Sequence, residues 1–80
     1  MEINVFDYIA TDRDICHGKP CFKGTRIMVS SVLALLEAGE SPKEILEAYP
    51  GLTLKHIQAA LHLAGQVLEG EQYLSFSSHS

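Results

Sequence analysis

The chain contains no apolar run of about 18 residues, the length a membrane-crossing helix requires. Its start carries Glu2 and Asp7 where a secretory leader would place basic residues ahead of an apolar stretch. Neither membrane insertion nor export is therefore expected. Cysteine is scarce: Cys16 and Cys21 are too few to staple a secreted mini-protein, and the expected compartment is the reducing cytoplasm. Positive charge is scarce as well. Six Lys and Arg against ten Asp and Glu give a formal charge of −4. An isoelectric point near 5.4 argues against a dedicated non-specific nucleic-acid binder, whose domain value usually exceeds about 9.

The chemistry of catalysis is missing too. No nucleophile stands beside a base, no carboxylates are paired, and Gly18-Lys19-Pro20 and Lys23-Gly24-Thr25 lack the glycine spacing and following helix of a phosphate loop. His56 and His62 read as surface or core-edge residues of a helix, and no enzyme is expected. Cys16, His17 and Cys21 are metal-ligand types lying together, but no further Cys or His is near and Pro20 stiffens the segment. No metal and no cofactor is expected, and the two cysteines read as a small apolar pair packed at the edge of a hairpin.

What remains is enough for one small domain. At 80 residues and 46% hydrophobic composition a core can form, though so short a chain gains from association with a partner or a second copy, and a homodimer is expected. Charge is unevenly spread: Arg13, Lys19, Lys23 and Arg26 fall in the N-terminal part, and Glu37, Glu40, Glu44 and Glu47 crowd the middle.

Residues 8–29 read as short extended pieces punctuated by Gly18, Pro20 and Gly24. Pro20-Cys21-Phe22 is expected to pair with Arg26-Ile27-Met28-Val29 across a turn at Lys23-Gly24-Thr25, making a small hairpin or arm. A first helix is expected from Ser30 or Ser31, a serine being its cap, to Ala38, with Gly39 in the left-handed position after it. Ser41-Pro42-Lys43-Glu44 is a strong start signal for a second, ended by Pro50-Gly51. Thr53 should cap a third, with Leu54, Ile57, Leu61, Ala64 and Leu68 as its core stripe and Lys55, Gln58, His62 and Gln66 as its polar strip.

Two short helices joined by a tight turn containing Gly51, the second one longer and polar outside, have helix-turn-helix form. The fold class expected is mainly α: a three-helix, helix-turn-helix bundle with a short N-terminal β-hairpin or arm over residues 1–70, and a flexible tail over 71–80. As a recognition helix, the third would bring Lys55 and Gln58 to base edges with His62 farther along, while Lys19, Lys23 and Arg26 supply phosphate contacts. The plainer reading makes these ordinary solvated residues. In the tail, Tyr73, Leu74 and Phe76 are bulky apolar residues suited to docking on the core or on a partner.

The runs Gly18-Lys19-Pro20-Cys21-Phe22-Lys23-Gly24-Thr25-Arg26-Ile27-Met28-Val29, Leu36-Glu37-Ala38-Gly39-Glu40-Ser41-Pro42-Lys43-Glu44-Ile45-Leu46 and Tyr49-Pro50-Gly51-Leu52-Thr53 closely resemble the small bacterial proteins of the domain of unknown function 433 family. The likeness spans about residues 8–65 and keeps the family's motif order. It implies a homeodomain-like fold and a VapB-like antitoxin role: direct inhibition of a PIN-like ribonuclease toxin, with operator DNA bound by the complex. The signature residues would be Gly24, Thr25 and Arg26, with Ala59 and Ala60 allowing close helix packing. The signature also has a local explanation, in which Gly24 turns the chain, Thr25 bonds backbone, and Arg26 pairs with Asp12 or Asp14. The expected function is an antitoxin-like regulator, and the alternative is an orphan dimeric protein-interaction adaptor with no DNA role.

Overall fold

The strongest start signal in the sequence becomes the best-capped helix in the structure. In a computed structural model that describes residues 3–69, helix α2 spans Pro42–Ala48. Its free N–H groups are satisfied reciprocally: Glu44 N–H donates to Ser41 Oγ (3.2 Å) and Ser41 N–H donates to Glu44 Oε1 (2.8 Å). The Ser41 backbone N–H, and after it the Ser41 side chain, hold the Glu44 carboxyl below its ordinary range by hydrogen bonding. Helix α1 spans Val29–Glu37 and α3 spans Leu54–Leu68, so the protein is a three-helix bundle, α2 and α3 being joined by a turn over residues 49–53.

Helix α1 starts ahead of the expected serines. Met28 occupies the cap position without a side-chain bond, because the N-terminal arm supplies the acceptor: Val29 N–H donates to the Pro20 carbonyl at 3.1 Å. At the other end Gly39 adopts φ +95°, the left-handed conformation that ends a helix cheaply only in glycine.

The arm is a two-stranded antiparallel hairpin with a second layer of pairing. Strand β1, Ile9–Ala10, pairs with β2, Cys21–Phe22, in the register Ile9 with Phe22 and Ala10 with Cys21. The local pairing expected from the sequence is present as a single bridge between Cys21 and Met28, with Phe22 N–H donating to the Ile27 carbonyl at 2.9 Å. The ladder partner of β2 is thus β1, because Ile9 and Phe22 share the core while Arg26 is left in solvent.

Phe22, Val32, Ile45, Ile57, Ala59 and Ala60 are fully or almost fully buried, so the core lies where the arm and all three helices meet. The core face of α3 differs from the expected stripe. Ile57, Ala59 and Ala60 face inward with Leu63 packed beside them, whereas Leu54, Leu61 and Leu68 are 50%, 51% and 58% exposed. The alanines win because the arm and α1 both press on this helix, and small side chains permit the closer approach. Among the described residues no helix is long and apolar enough to cross a membrane.

Candidate interaction surface

Helix α3 carries Lys55, Gln58 and His62, and its orientation is fixed at its first turn by a histidine. The Nδ1 of His56 accepts from Thr53 N–H at 3.0 Å and lies 2.9 Å from the Thr53 hydroxyl, the place a Glu or Gln usually takes in such a cap. An accepting Nδ1 leaves the ring proton on Nε2. The same ring meets Tyr8 and Phe22 edge-on, at centroid separations of 5.1 and 5.6 Å. His56 therefore fastens the start of α3 to the arm in addition to capping it, and this aims the opposite face of the helix outward.

That outward face holds Lys55, Gln58 and His62, all exposed as the polar strip required. It also holds Leu54, Leu61 and Leu68, which helical periodicity alone assigns to the core. Lys55 and Gln58 share a shallow depression with Ile3, Thr53 and Leu54. The other cations lie elsewhere. Lys19 borders a groove built from Pro20, Val29, Leu33, Leu63, Val67 and Leu68, and Lys23 borders a third depression that shares Pro20 and Leu63 with it. Lys23 is also committed locally, its ammonium donating to the Phe6 carbonyl at 3.1 Å. The groove beside Lys19 encloses about 550 Å³. It is walled by the start of α1 and the end of α3, with Lys19 and Ser30 as its polar margin.

The Gly-Thr-Arg signature resolves into a local latch. Gly24 takes φ +77°, and the Thr25 hydroxyl donates to the Phe22 carbonyl at 2.8 Å while accepting from Ile27 N–H at 3.0 Å. Arg26 is exposed and makes no ion pair with Asp12 or Asp14 among the described residues. Its carbonyl accepts the Cys16 thiol at 3.3 Å. Cys21 is buried, and burial first, then a hydrogen bond with Cys16, pushes its thiol above the ordinary range. Cys16, His17 and Gly18 form a left-handed turn with φ of 54°, 56° and 79°. Tyr73, Leu74 and Phe76 lie outside the described residues.

A small three-helix bundle whose arm braces one face of its last helix, leaving the other face and an apolar groove open, is the class that these features define. The family is shown by comparison. The model described as "Protein of unknown function (DUF433)" matches residues 9–64, and the chain belongs to that family. An uncharacterized protein of Sinorhizobium fredii, y4eO, is 33% identical over 67 residues, which is 82% of this chain. The matched part is only 30% of that longer protein. No solved structure matches the chain.

Proposed function

We propose that the protein is a non-enzymatic, partner-binding module of the antitoxin type, which seats an apolar segment of another protein in the groove between the start of α1 and the end of α3. The groove carries the reading. Val29, Leu33, Leu63, Val67 and Leu68 line about 550 Å³ of open, apolar space on a domain of net charge −4. An amphipathic helix or strand laid into such a groove gains about 25 cal/mol for each Å² of apolar surface it buries. The partner that the family resemblance implies is a PIN-like ribonuclease, held inactive by direct contact.

The test is titration of the purified chain into a PIN-domain ribonuclease from the same organism, with RNA cleavage as readout. Cleavage should fall to zero near equimolar chain, and Val67→Glu, which places a charge in the groove at an already exposed position, should restore it. Undiminished cleavage in excess wild-type chain would end the antitoxin reading.

Operator DNA as an additional ligand is favoured by one observation, the exposed placement of Lys55 and Gln58 within the first two turns of α3. A base contact from either side chain is worth about 1–3 kcal/mol. Lys55→Ala with Gln58→Ala should then cut promoter affinity by roughly tenfold or more while leaving the circular dichroism spectrum intact. Equal affinity of variant and wild type for the promoter removes the recognition role.

A further inference from the structure

The apolar residues of α3 fall into two sets, and the fold uses only one. Ile57, Ala59 and Ala60 are covered by the arm and the other helices, whereas Leu54, Leu61 and Leu68 recur every seven residues on the outside, each about half exposed. With a rise of about 1.5 Å per residue, the row extends for about 21 Å along one side of the helix. Single exposed leucines are ordinary, but three in a heptad-spaced row, with only Gln58 and Gly65 between them, suit contact with a second helix.

Beside this row runs a second at the same spacing: Lys55, His62 and Glu69. Its two ends carry opposite charges. Turning the helix end for end about its middle places Leu54 on Leu68 and Lys55 on Glu69, with Leu61 and His62 near the axis. The surface is therefore complementary to itself, the property of a two-fold, isologous contact.

Two local costs point the same way. Lys55 stands at the positive end of the helix dipole and Glu69 at the negative end, with no acidic residue in the first turn and no basic one in the last. Both placements are unfavourable in an isolated helix and become favourable beside a reversed copy. Gly65 lies between Leu61 and Leu68 on the outward side, and a Cβ added there would meet nothing within 4 Å. The domain's own packing does not call for a glycine inside this helix, whereas close approach of a second backbone does.

We propose that Leu54, Leu61 and Leu68 form a seam along which α3 pairs antiparallel with α3 of a second copy of this chain, Lys55 of each meeting Glu69 of the other. This rests on the reading of the protein as a binding module and shares Leu68 with the groove, whose other lining on α3, Leu63, Ala64 and Val67, lies off the seam. In such a dimer Lys55 and Gln58 are occupied by the partner and cannot read DNA at the same time.

The experiment is sedimentation equilibrium of the full 80-residue chain, from micromolar to near-millimolar concentration. A wild-type dimer is expected, and Leu61→Glu, which sets two carboxylates near the axis, should give a monomer with an unchanged circular dichroism spectrum. Lys55→Glu and Glu69→Lys should each weaken dimerisation several-fold, and the double reversal should restore it. Each reversal suits the helix dipole, so loss of the dimer cannot be ascribed to a weakened fold. A monomeric wild type overturns the pairing and assigns the row to residues 70–80 or to a foreign partner. A dimer that survives Leu61→Glu, or a double reversal without rescue, overturns it equally. The ribonuclease titration is a separate readout, with its variant at Val67, which the groove holds and the seam does not.

Discussion

Removing the His56 side chain should cost more than a surface helix position normally does, because one ring performs two tasks. It accepts the Thr53 N–H at 3.0 Å, and it packs edge-on against Tyr8 and Phe22. A lost cap bond is worth about 0.5–2 kcal/mol, and an edge-on ring pair about 0.5–1.5 kcal/mol. His56→Ala should therefore destabilise the domain by about 2–3 kcal/mol. At about 4–8 °C per kcal/mol for a domain of this size, the melting midpoint should fall by roughly 10–20 °C. Two further variants separate the tasks. His56→Glu keeps an acceptor and puts a negative charge at the helix start, but loses both ring contacts. His56→Phe keeps the ring and loses the acceptor. Each should fall between wild type and alanine in thermal and urea unfolding followed by far-ultraviolet circular dichroism. An alanine variant within about 0.5 kcal/mol of wild type, or a glutamate variant no better than alanine, would refute the assignment.

The cap of α2 predicts a pH dependence. The Glu44 carboxyl is held below its ordinary range by bonds from Ser41, so its contribution is present above the unfolded-state value and is lost as pH falls through the lower folded value. An acid unfolding series should show this loss in wild type and not in Glu44→Gln, and identical profiles would contradict it. Gly24 supplies a test of backbone conformation alone, since it adopts φ +77° and a Cβ there meets nothing within 4 Å. Gly24→Ala should lower stability by about 1–2 kcal/mol in urea unfolding, and a neutral result would mean that the turn relaxes.

Much of this fold can be read along the chain wherever the signal is local. Ser41, Pro42 and Glu44 announce α2, Gly39 announces the end of α1, and Thr53 announces the start of α3, because caps and breakers act within a few residues. Pairing across distance is harder to read. Residues 21–22 had a plausible neighbour at 26–29, yet the ladder forms with residues 9–10, since the shared burial of Ile9 and Phe22 outweighs proximity. The orientation of α3 was illegible for a different reason. Its apolar residues cover two sides, so helical periodicity offers two equally good core faces, and only contact with the arm selects the side with Ala59 and Ala60. The same ambiguity hid the interaction surface. Lys55, Gln58 and His62 were placed outside correctly, but the leucines among them looked like core.

The contact between the arm and α3 also constrains how the chain is born. Tyr8 and His56 touch through their rings although they are made far apart in time. At about 5–20 residues per second, the stretch between them takes a ribosome several seconds. Until α3 has been made, Ile9 and Phe22, both destined for the core, lack the helix that will cover them. The arm is thus made before the helix it packs against and can settle only after it. Its charged residues, Asp12, Arg13, Asp14, Lys19, Lys23 and Arg26, flank those apolar positions and keep the waiting segment in solution, a role independent of any contact they make once folding is complete.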